Sequence, residues 1–192
     1  MNVNISTSIH GLLSRRINKK DVEQIVSSCK TGLDNLEMLY KLSESSDNRI
    51  SMNALWCMTH LPKTSKSWLQ SKQSMLIDRL LIEEHLSKKR LLLQLLRNQT
   101  YANDSIRTDF LDFCFSRINS ESEPCAIRAF CIYCAFKMCR FYLELVKELE
   151  EHLDMLNNQT ISPGLSSALH QTKKDIRMIR ENYDTTSDYL LL

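Results

Sequence analysis

Three glycines and three prolines in 192 residues constrain this chain more than any other feature of it. Average usage would supply roughly 13 glycines and 10 prolines in that length. Sheets reverse direction often, and each reversal draws on residues that accept turn geometry at little cost. A chain so poor in both predicts long helices joined by short polar connections. Abundant Leu, Ser, Lys and Glu with little Val agree with that reading. An apolar fraction of 43% and a charged fraction of 25% are those of a folded globular chain and exclude disorder as the main state. At this length about 70% of the unfolded surface can be buried, so no metal or disulfide staple is needed.

Caps and periodicity divide the chain into segments. Asn18 precedes KKDVEQIVSSCK, where Val22, Ile25, Val26 and Cys29 share a face, and Gly32 supplies a stop. LDNLEMLYKL follows, then a third segment from about Asn48 to His60 that Pro62 ends. The fourth is SWLQSKQSMLIDRLLIEE, and Ser87 is placed to cap the fifth, KKRLLLQLLRNQ. The polar string YANDS separates these from IRTDFLDFCFSRI. Ser122, Glu123 and Pro124 read as a cap followed by a first-turn proline, opening a cysteine-rich helix. The chain reverses near Cys139 to Tyr142, YLELVKELEEHLDML follows, and Ser162 with Pro163 opens the last helix. The total is about nine helices. Residues 1–17 read as an N-terminal cap or flexible segment, 18–181 as the helical domain and 182–192 as a polar tail.

The helices repeat. NRISMNALWCM, SKKRLLLQLLR and PCAIRAFCIYC put Ile50, Lys89 and Ile127 in register, at steps of 39 and 38 residues. Ala54 and Met58, Leu93 and Arg97, and Cys131 and Ala135 then continue the mostly apolar stripe, with a second amphipathic helix between copies. This two-helix period resembles HEAT or armadillo repeats. EPCAIRAFCIYCAFKM resembles the first helix of a HEAT repeat most closely, through Glu123, Pro124, Ile127 and Arg128. The resemblance covers roughly residues 17 to 180, with Lys89 standing where the pattern has an aliphatic. It implies an all-α fold, a right-handed α-α superhelix that holds another macromolecule.

CAIRAFCIYCAFKMC places four of seven cysteines within fifteen positions. A zinc site would set its CxxC pair on a tight turn and add a second pair or histidines. Cys131 and Cys134 instead lie mid-helix, on a face with Ile127, Ala135 and Met138. Thiols of this kind are core, and all four are expected buried, reduced and metal-free.

Other motifs carry less. GLSSALHQTKKD resembles the serine loop of the fumarase and adenylosuccinate lyase superfamily, but only Ser166 and Ser167 match its signature. Basic residues group at Arg15, Arg16, Lys19 and Lys20; at Lys88, Lys89, Arg90 and Arg97; and at Lys173, Lys174, Arg177 and Arg180. A solenoid can align such groups along one groove for phosphate contacts. The arrangement resembles HEAT-like alkylpurine DNA glycosylases, without a motif that assigns a catalytic aspartate. Arg90 and Arg128 are expected to make contacts within a repeat. The five histidines are isolated, with His60, His85 and His152 near helix ends, and the three glycines form no phosphate loop.

The net charge of +2 announces no polyanionic partner. No window reaches the roughly 18 apolar residues of a membrane span, and the N-terminus lacks the basic region of a signal peptide. The resulting expectation is a non-enzymatic macromolecule-binding scaffold of a bacterial-type cytoplasm, with no catalytic residue, cofactor or metal. Its partner is a protein, met through Lys88, Lys89, Arg90 and Arg97. Nucleic-acid binding through a basic groove is the alternative, and a lyase the last.

Overall fold

Helix is the only regular structure among the described residues of a computed structural model, which gives the backbone of residues 9–189 except 31, 105 and 158, and side chains through residue 181. After a short helical stretch over residues 9–13, the order is α1 (Lys19–Cys29), α2 (Leu33–Ser43), α3 (Asn48–Thr59), a 3-10 turn (Lys63–Ser65), α4 (Lys66–Ser71), α5 (Gln73–Ile82) and α6 (Leu86–Leu96). Then come α7 (Thr108–Ile118), α8 (Cys125–Cys139), α9 (Leu143–Leu156) and α10 (Pro163–Tyr189). The backbone of the expected polar tail continues α10 as far as Tyr189, and the tail's side chains lie outside the described residues.

Local chemistry sets most boundaries. Asn18 forms a capping box: its side chain accepts from the backbone N–H groups of Lys20 (2.8 Å) and Asp21 (3.2 Å), while Asp21 accepts from the Asn18 N–H (2.9 Å). Asp47 caps α3 by accepting from Arg49 and Ile50, and Ser162 caps α10 by accepting from Leu165. Two expected caps differ. Ser87 lies inside α6, whose cap is His85, with Nδ1 accepting from the Ser87 N–H at 3.3 Å. Ahead of α8 Pro124 itself is the N-cap, its φ of −54° already set by the ring, and the Ser122 hydroxyl pairs with Ser120 instead.

The fourth expected helix is two, which makes ten α-helices in residues 19–189 where nine were expected. Lys72 sits at φ −91°, ψ 2°, and its N–H bonds Leu69 three residues back, not four. The Ser71 hydroxyl bonds the Trp68 carbonyl, and the buried Gln99 amide donates to the Leu69 carbonyl at 3.1 Å. Apolar periodicity runs through this break, so it left no mark on the hydrophobic pattern.

The chain forms two compact units, residues 1–99 and 100–192. In the first, α3 is central and packs on α1, α2 and α6, while α5 lies along α6. Ile9, Leu13 and Ile17 join this core, and Asn53 of α3 donates to the carbonyls of Leu13 and Arg15, satisfying the end of the short N-terminal helix. In the second unit α8 is central, packed on α7, α9 and α10. Most of its surface is buried: Ile127, Cys131, Ile132, Cys134, Ala135 and Met138 are fully enclosed, while Phe130, Tyr133 and Lys137 on the remaining face are half-buried. Leu149 and Leu153 of α9 are also fully enclosed, each contributing roughly 1.5–3 kcal/mol.

The residues of the sequence register differ in burial: Ile50 and Ile127 are buried and Lys89 is half-buried, and Leu165 of α10, 38 residues beyond Ile127, is buried as well. One detail is corrected. α8 packs far more extensively on α7 before it than on α9 after it, so it closes a helix pair instead of opening one.

Candidate functional site

The four expected partner-binding residues do not make one exposed patch. Lys88, Lys89 and Arg90 lie in the first turn of α6, and Arg97 follows its last residue, roughly 13 Å away along the axis. Lys88 is nearly enclosed and paired with Glu83 at 3.3 Å. Lys89 and Arg97 are half-buried, and Arg90 is exposed. Other basic groups are likewise drawn into local pairs: Arg15 with Asp21, Lys19 with Glu23, Lys173 with Asp154 and Arg180 with Glu150.

Arg128 makes the contact expected of it. Only 5% exposed, it donates through Nε to the Ile118 carbonyl at the end of α7 (2.8 Å) and through Nη2 to Gln159 (2.6 Å). Arg90, by contrast, has no hydrogen bond or ion pair among the described residues. In the first unit Arg79 of α5 bridges the hydroxyls of Ser43 and Ser51, and burial holds its guanidinium below the usual value.

Cys131, Cys134 and Cys139 are enclosed as expected, together with Cys29, Cys57 and Cys114. Cys125 is exposed, contrary to expectation. It is the first residue of α8, before the helix enters the core, and a hydrogen bond with Ser162 holds its thiol below the ordinary value. Burial pushes Cys57 and Cys139 up to about 12. Tyr101 is raised too, by burial and by the neighbouring thiols of Cys134 and Cys114. No three Cys, His, Asp or Glu side chains are grouped to hold a metal ion among the described residues.

Ser166 and Ser167 lie in the first turns of α10, not on a loop. His170 Nδ1 is 3.3 Å from the Ser166 hydroxyl and 2.7 Å from the Ser166 carbonyl. A carbonyl only accepts, so that nitrogen carries the proton and cannot serve as a base for the serine. His60 meets the Trp56 carbonyl at the end of α3 in the same way.

What the second unit does form is a groove between α7 and α9, with a volume of about 460 Å³. Thr108, Leu111, Asp112 and Phe115 line one wall at positions i, i+3, i+4 and i+7 of α7. Glu144, Leu145 and Glu148 line the other, and Ile106 and Tyr142 close one end. The Tyr142 hydroxyl donates to the Asn103 carbonyl, tying the preceding loop to the start of α9. His152 of α9 stacks on Phe115, ring centres 4.7 Å apart, which locks the two walls together. Sequence reasoning missed this site. Its signal was present: α7 carries apolar residues on the stripe of Leu111 and Phe115 as well as on the core stripe of Phe110, Cys114 and Ile118.

The groove's carboxylates, Asp112, Glu144 and Glu148, have no ion pair among the described residues. A groove in the first unit, about 630 Å³ and lined by Glu37, Tyr40, Lys72 and Met75, is instead matched internally. Glu37 accepts from Lys72 (2.8 Å) and from the Trp68 indole (2.7 Å), and both hold its carboxyl below the usual value.

No curated protein and no solved structure matches the chain. A family model does, that of the HEAT repeat domain, over residues 9–176. Helix pairs with a sequence period near 39 residues, an arginine of one helix closing the end of its neighbour, and this match agree: the chain belongs to the HEAT repeat domain family.

Proposed function

We propose that this protein is a non-catalytic scaffold that holds another polypeptide in the groove between α7 and α9, within a reducing cytoplasmic compartment. The groove carries the reading: it falls in the size range of sites that bury a ligand, its floor is apolar, and its walls are fixed by the Phe115–His152 stack. Unbridged thiols support the compartment. The dispersal of Lys88, Lys89, Arg90 and Arg97 into different environments favours the groove over the basic residues as the docking surface.

Photo-crosslinkers placed at position 145 in the groove and, as a control, at position 90 test this. The expected result is a nuclease-resistant polypeptide adduct at 145 that is lost when Thr108→Trp fills the groove. Adducts only at position 90, or adducts that nuclease removes, overturn it.

A further inference from the structure

The groove of the second unit joins an apolar floor to carboxylates that the chain leaves without cations, and the combination specifies an occupant. Leu111 and Phe115 form the floor, and Tyr142, at the mouth, is still 40% exposed. Glu144 and Glu148 stand four residues apart on one face of α9, a spacing at which like charges repel. The positive end of α9 compensates Glu144, which lies in its first turn, but not Glu148 or Asp112 across the groove. Four other acids of this unit are neutralised within the chain, Asp109 by Arg107, Glu123 by Arg117, Asp154 by Lys173 and Glu150 by Arg180, while Glu121 and Glu151 stand singly without an ion pair among the described residues. What sets the groove apart is that three such carboxylates line one apolar surface.

We infer that the groove takes a segment of a partner polypeptide in which a large apolar side chain is flanked by lysine or arginine. The inference rests on the docking reading above and adds the chemistry of what docks. The apolar side chain displaces water from the floor, and its basic neighbours answer the carboxylates at the rim. Phosphate-bearing partners are disfavoured, because their charge has the sign of the groove. The first unit's groove lacks this selectivity, since Lys72 already occupies Glu37.

Fluorescence anisotropy with the full chain and three short synthetic peptides tests it: one alternating Leu with Lys, one Leu with Glu, one Gln with Lys. The Leu/Lys peptide is expected to bind at least about tenfold more tightly than the others, and less tightly as salt rises. Joint replacement of Asp112→Asn, Glu144→Gln and Glu148→Gln should weaken it about tenfold, and Thr108→Trp should remove it. If Leu/Glu binds as well as Leu/Lys, and Thr108→Trp removes both, the charge inference fails while docking stands. If no peptide binds, if Thr108→Trp changes nothing, or if an oligonucleotide binds more tightly than Leu/Lys, both fail.

Discussion

Arg128 shows how a single side chain can hold a helix pair. The last carbonyls of α7 have no partner within their own helix, and one of them, Ile118, is met by an arginine projecting from α8. The guanidinium fork also reaches Gln159 beyond α9, so one residue ties α8 to the end of α7 and to the connection that follows α9. Arg128→Met should cost about 2–4 kcal/mol, because it strands a buried carbonyl and an amide oxygen. Arg128→Lys keeps the charge but not the fork, and should recover only part. Urea unfolding followed by helix signal measures both. A loss under about 0.5 kcal/mol for the methionine variant would sink this account.

At the scale of the element, α8 shows what its thiols are for. A helix packed on three sides needs small side chains that tolerate an apolar surrounding, and sulfur supplies them. Cys131→Ala should therefore be tolerated better than Cys131→Ser, by about 1–2 kcal/mol, since the serine brings a hydroxyl into an apolar site. Thiol labelling of the native protein gives an independent check. Cys125 should react fast and alone, and Cys125→Ser should abolish that phase, while the six enclosed thiols wait for unfolding. Rapid reaction of Cys131 or Cys134 would contradict a packing role.

For the whole molecule, buried acids of high pKa lie in both units and give stability a common pH dependence. Cys57 and Tyr40 in the first unit and Cys139 in the second are held neutral up to about 12. Unfolded thiols ionise near 8.5 and phenols near 10. Above about pH 8.5 the unfolded chain therefore binds fewer protons than the folded one, and stability falls as pH rises toward 12. The urea midpoint should hold near neutrality and decline steadily above about pH 9. Replacing Cys57 and Cys139 with alanine should flatten that decline, and a midpoint constant to about pH 10.5 in the parent protein would refute it.

Much of this was legible in the chain itself. Scarce Gly and Pro determined an all-helical fold, and the Ile50, Lys89 and Ile127 register determined the repeat, because both depend on composition and spacing along one strand of sequence. The burial of Cys131 and Cys134 and the role of Arg128 followed from the same pattern. The break at Lys72 did not, because it depends on Gln99 reaching the Leu69 carbonyl from another element. Nor did the exposure of Cys125, which depends on where α8 enters the core. The groove itself was decided only in three dimensions. Asp112 and Glu148 are ordinary solvated acids until packing sets α7 beside α9, and a site made of two helices' outer faces is written in neither helix alone.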